Sequence, residues 1–195
     1  MSQGWRIGSG ILFLLLSGCG KSGGSWSGFP VEIYADSALV SSREAEADLT
    51  DAMTFWETRA GKKLFDYRGI WKSGTPYAGN VMAPASAVAN VIFFQNPWPF
   101  GASIAGRTTT FKSTDTIEHA IIMVNPDIPF CSGDCRGWMG RTSIRNTLAH
   151  ELGHFLGLGH VSDPTNIMFP EVLKVNTLTA ATVDGIALKS VTSAE

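Results

Sequence analysis

The sequence predicts an α+β domain, an α/β-type sandwich in which a twisted five-stranded mixed sheet packs against long helices. Three observations carry this reading. Apolar runs of strand length, bounded by Gly, Pro, Asn and Asp, recur between residues 31 and 125. The stretch 44–60 sets its apolar residues at helical spacing. A second such stripe, 144–156, leads into a segment rich in histidine and glycine. At 195 residues and 44% hydrophobic content the chain suits one core, and it contains no repeat that would suggest a second domain.

Taken in order, Met1 to Gly18 lies outside the fold. Arg6 precedes the apolar run 11–16, which is too short to span a bilayer and reads as the core of a signal peptide. The run ends in Leu16-Ser17-Gly18-Cys19, which resembles a bacterial lipobox. That resemblance implies cleavage before Cys19 and lipidation of the cysteine, hence an exported lipoprotein anchored in a membrane. It would stand on the periplasmic face, in the outer membrane or at the cell surface. An ordinary secretory signal with an incidental cysteine is the alternative. Residues 19–29 then form a lipidated Gly/Ser tether, and 30–192 the folded domain.

Within that domain, 31–36 alternates and reads as the first strand. Ser41 and Glu44 have capping-box spacing. Ala45, Leu49, Ala52, Met53, Trp56 and Ala60 then continue a helix to Gly61. Further strands are expected at 63–68, 90–95, 103–111 and 118–125. Thr142 or Ser143 caps the next helix, whose stripe is Ile144, Leu148, Leu152, Phe155 and Leu156. A last helix is expected to open at Leu178-Thr179, with Leu178 and Val183 as a hydrophobic staple. Fifteen basic against 17 acidic residues leave a net charge of −2, and no basic run exceeds a pair, which argues against nucleic-acid binding. A monomer is expected.

The chemistry is concentrated in His150-Glu151-Leu152-Gly153-His154-Phe155-Leu156-Gly157-Leu158-Gly159-His160. Helical residues four apart differ by about 40° in direction and about 6 Å in height, so His150 and His154 can reach one ion. Glu151 lies about 100° round the helix and is placed to meet a metal-bound water rather than the metal. A continued helix would carry His160 about 240° away, so the chain must leave the helix first. Gly157 can take the left-handed conformation that ends it. Three neutral imidazoles leave a fourth position open on tetrahedral zinc, the arrangement of a catalytic site.

These residues resemble the motif of the metzincin zinc endopeptidases, within the zincin-like folds, and of the matrixin branch in particular. A metzincin carries a methionine turn downstream, and Asn166-Ile167-Met168-Phe169-Pro170 supplies one. The resemblance makes Met168 an apolar floor under the metal, much as a flexible core residue would be. Relatives of the astacin and serralysin kinds bear a ligating tyrosine two residues past that methionine. Pro170 stands there, and Tyr34, Tyr67 and Tyr77 are all far upstream. The order of elements is similar to a matrixin catalytic domain from about Val31 to Val191.

By that resemblance the chain is a metalloendopeptidase acting on proteins or peptides, with one catalytic zinc held by His150, His154 and His160 and with Glu151 as general base. The substrate would add as a strand along the edge 104–110. The segment 170–176 would wall the pocket beyond the cleaved bond. Three departures stand beside it. About ten residues separate Cys19 from the first strand, too few for an inhibitory propeptide. His119 is the sole histidine left over, too few for a second, structural zinc. Calcium is possible, yet no loop of recognisable spacing appears; Asp115, Asp127 and Asp134 are loose candidates. Cys131 and Cys135 read as a local disulfide in an oxidising compartment, or as a source of one thiolate that blocks the zinc. The alternatives to proteolysis are a surface lipoprotein that uses the fold to bind a partner, and a peptidase of cell-wall cross-links.

Overall fold

In the computed structural model, which describes residues 23–133, 135, 141–171, 178 and 181–193, the chain runs β1 (Ser25–Trp26), β2 (Val31–Ala35), α1 (Arg43–Ala60), β3 (Phe65–Ile70), β4 (Tyr77–Asn80) and β5 (Ala83–Ala87). It continues through β6 (Val91–Phe94), β7 (Gly106–Ser113), β8 (Thr116–Val124), β9 (Phe130–Cys131), β10 (Thr142–Ser143), α2 (Ile144–Phe155) and α3 (Gly185–Thr192). β8 is the strand around which the sheet is organised. β1 and then β6 lie along one side of it and β7 along the other, while β2 and β3 extend the sheet beyond β6. β7 runs antiparallel and the other pairings are parallel, so the sheet is mixed, as expected.

The two faces of β8 explain its sequence. Ile121, Ile122, Met123 and Val124 are all buried, the continuous apolar run of a strand covered on both sides. Ile122 and Val124 join the main core with Trp56, Leu148 and Phe155 from α1 and α2. Ile121 and Met123 face a second cluster with Ala87, Tyr77, Trp98 and Phe100, under the β4–β5 hairpin.

Among the described residues the sheet has six strands rather than five, because part of the expected tether belongs to the fold. Ser25–Trp26 pairs with Thr116–Ile117, and Trp26 is buried with its indole N–H donating to the Phe155 carbonyl at 2.8 Å. A large aromatic side chain with a polar handle repays ordering that Gly/Ser flanks alone would not. Strand limits also move: β3 and β7 begin and end two or more residues later than the apolar runs suggest. The partner strand decides where a ladder stops, and Lys112 and Ser113 stay in β7 because Ile117 and Thr116 face them.

α1 matches its apolar stripe, with Leu49, Ala52, Met53 and Trp56 buried. Its cap is Ser42, one residue past the expected Ser41: the Ser42 hydroxyl accepts from the Ala45 N–H at 3.1 Å. α2 starts from Ser143, one of the two expected caps. The last helix starts at Gly185 rather than at Leu178. Asp184 caps it, accepting from the Ile186 and Ala187 N–H groups, and Thr182 is instead bonded to Thr165 and Ile167. Val183 therefore precedes the cap instead of lying inside the helix, and it packs against the core that holds Leu178 and Leu188. Backbone pairing beside Met168 outcompetes the local helical preference here.

Candidate metal centre

The site is built where α2 ends. Gly157 donates to His154 O and Leu158 donates to Gly153 O, both at 2.9 Å, the two bonds of a Schellman closure. Gly157 takes φ +103°, and a Cβ on it would lie 2.2 Å from the Gly24 carbonyl oxygen. Conformation and space both require glycine there, and the chain turns to bring His160 back over the helix, as the spacing predicts.

The three Nε2 atoms form a nearly equilateral triangle: 3.1 Å from His154 to His150, 3.1 Å from His154 to His160 and 3.2 Å from His150 to His160. Two of the tautomers are set. His150 Nδ1 lies 2.7 Å from the Ile167 carbonyl and His154 Nδ1 lies 2.8 Å from the Leu158 carbonyl, so each Nδ1 bears the hydrogen. Their Nε2 atoms then carry lone pairs that point at each other, which is unfavourable unless a cation lies between. Two nitrogens each about 2.05 Å from a tetrahedral ion stand roughly 3.3 Å apart. The triangle fits zinc, and its all-nitrogen donors argue against calcium. Burial, then the like charge of the neighbouring ring, pushes His150 and His160 down to about 4; burial lowers His154 as well. Neutral imidazole is the form that a metal needs.

Glu151 is almost fully buried and reaches β7. Its Oε2 accepts from the Thr108 hydroxyl at 2.6 Å, while Oε1 takes no hydrogen bond from the described residues. Burial holds the carboxyl above its ordinary value, with His154, Thr108 and Arg107 pulling partly back. The Met168 sulfur lies against Gly153: a Cβ on Gly153 would come within 2.3 Å of it and 2.7 Å of the Trp56 ring. The methionine turn therefore serves the histidines twice, as packing under the helix and through the Ile167 carbonyl.

Over residues 42–190, well over half of the chain, the sequence matches the family model of the matrixins. The chain belongs to the matrixins. That family is one of zinc metalloproteases, and the His150–His154–His160 triangle of this matrixin could hold its metal. Cys131 and Cys135 are joined to each other, with Cα atoms 5.7 Å apart, which leaves neither as a zinc-blocking thiolate. His119 lies on β8 opposite Phe111. Asp115 sits at the β7–β8 turn and Asp127 beyond β8; Asp134 falls outside the described residues, as do Cys19 and residues 172–176 of the expected pocket wall. A recess of about 450 Å³ opens between β1 and α3, lined by Gly24, Asp115, Gly159 and Ser190 rather than by the histidines.

Sequence reasoning missed Gly106, Thr108, Gly153 and Trp56, whose indole donates to the Ala149 carbonyl of α2 at 2.7 Å. Gly153 did leave a signal. Glycine inside a helix costs about 1 kcal/mol against alanine, so its presence there points to something packed close. Thr108, one of three consecutive threonines, left none.

Proposed function

We propose that this matrixin hydrolyses internal peptide bonds of protein substrates at the histidine triangle, with Glu151 as general base. The observation that carries this reading is the convergence of two fixed Nε2 lone pairs and a third histidine beside a buried carboxylate with one free oxygen. When bound, zinc supplies a Lewis acid that polarises the scissile carbonyl and lowers the pKa of water. Glu151 Oε1 accepts a proton from the attacking water as its oxygen bonds to the carbonyl carbon. The same carboxyl then gives the proton to the amine nitrogen as the C–N bond breaks. β7 is an edge strand of its sheet, and an extended substrate laid on its free side would continue the ladder past the triangle.

The test is zinc analysis together with cleavage of an unfolded protein, with and without a chelator. Glu151→Ala should retain one zinc and lose hydrolysis by roughly 10²-fold or more, whereas His154→Ala should lose both. Hydrolysis by Glu151→Ala at the native rate defeats the mechanism. A zinc-bearing wild type that cleaves nothing favours the partner-binding lipoprotein instead.

Cys19 is taken as the lipid attachment site of an exported, membrane-anchored form. The support is the lipobox-like 16–19 and a disulfide, which suits an oxidising compartment. Fatty-acid labelling that survives Cys19→Ala would overturn it.

A further inference from the structure

We propose that Thr108 is a positioning residue for Glu151, holding one carboxylate oxygen so that the other is free to take the proton. This rests on the endopeptidase reading above. A glutamate on a helix has three rotatable torsions, and nothing about its position in the motif decides where the carboxylate points. The structure supplies the constraint from a different element. Residues 106 and 108 of β7 are two apart and face the same side of the sheet, toward α2. Arg107 between them faces the other way, its guanidinium 4.6 Å from the centre of the Phe100 ring.

The Glu151 carboxylate lies over the bare Cα of Gly106, where a Cβ would come within 2.8 Å of Oε1 and 2.9 Å of Cγ. Thr108 closes the same slot from the next position. Its hydroxyl stands 2.6 Å from Glu151 Oε2 and 3.1 Å from the Glu151 carbonyl oxygen. It has one hydrogen, and the shorter, charge-assisted bond to the carboxylate takes it. The hydroxyl thus touches both the backbone and the side-chain end of one residue, which limits the torsions between them. Oε2 is committed and Oε1 is left with no protein partner among the described residues, so the two oxygens have different tasks. Because β7 is also the edge on which the substrate would lie, the strand that would register the peptide is the strand that aims the base.

The experiment compares wild type, Thr108→Val and Thr108→Ser, each loaded with zinc, for kcat and KM on a peptide substrate, zinc content and melting temperature. Valine keeps the shape and removes the donor; serine keeps the donor. Thr108→Val should lower kcat by about 10- to 100-fold with KM within about twofold. Zinc should remain stoichiometric, and Thr108→Ser should recover most of the loss. If the valine variant does not fold, Thr108→Ala gives the same reading without the added methyl. Wild-type kcat in Thr108→Val overturns the proposal. So does an equal loss in the serine variant, which would mark a packing role, or a raised KM at constant kcat, which would mark a substrate contact. A wild type that holds zinc and cleaves nothing overturns the endopeptidase reading itself, whereas active wild type with an active valine variant overturns only the role of Thr108.

Discussion

Where α2 begins it is held by charge, and where it ends it is held by backbone. At the start, Arg145 Nε lies 2.8 Å from Oδ1 of Asp48, a fully buried residue of α1, and Asp51 reaches the same guanidinium at 3.3 Å. Asp48 also accepts from the Ser132 hydroxyl and the Gly133 N–H, which ties the disulfide loop to the helix pair. At the end there is no ion pair of this kind among the described residues. The Schellman bonds, the Gly157–Gly24 contact and the Trp26 indole on Phe155 O do the holding. The difference follows from what each end must deliver. The start needs only to be docked, and a charged pair with a spare partner can shift by a few tenths of an ångström. The end must place His154 and His160 Nε2 atoms 3.1 Å apart, and only rigid backbone contacts give that accuracy.

The comparison can be broken most severely at Gly157. Gly157→Ala meets both an unfavourable φ and the Gly24 oxygen, so stability should fall by about 3–5 kcal/mol, with zinc retention lost in dialysis. A variant with native stability and native zinc content would remove the claim that backbone packing governs this end. Asp48→Ala comes second. Removing one member of a buried pair costs about 3–5 kcal/mol, and the lower part of that range is expected because Arg145 is partly exposed and keeps Asp51. Urea unfolding of the zinc-loaded protein should show the loss while zinc affinity stays near native; a matching drop in affinity would mean that the two ends are not separable.

The smallest effect is confined to the metal-free protein. His150 and His160 have folded values of about 4 against an ordinary 6.5, so between these pH values the unfolded chain binds more protons than the folded one. Their contribution is complete above pH 6.5 and is lost as pH falls toward 4. The urea midpoint of zinc-stripped protein should therefore be lower at pH 5 than at pH 7.5, and a midpoint that rises on acidification would contradict the desolvation of the rings.

Much of the site was legible because it is local. Ligand spacing, the cap at Ser143 and the glycine that ends α2 all act within about four turns of one helix, where side-chain directions follow from the period. The long α1 was legible for the same reason. β1 was not, since a two-residue strand has no periodicity and owes its existence to the edge of β8. The start of α3 was misplaced because Thr182 had a backbone partner beside Met168 that the sequence does not announce. The β4–β5 hairpin, in which Tyr77 stands among small uncharged residues, carried too little alternation to be read as strands.

By itself, then, the sequence determined which atoms could meet a metal and where the helix bearing them had to stop. The tertiary structure decided how those atoms are aimed: Ile167 and Leu158 carbonyls select the tautomers, Thr108 of a distant strand takes one oxygen of Glu151, and Gly24 abuts the turn at Gly157. The division has a physical cause. A helix sets direction among its own residues through bond geometry, whereas the hydrogen-bond partner of each functional group comes from another part of the chain and exists only once the sheet and helices have packed.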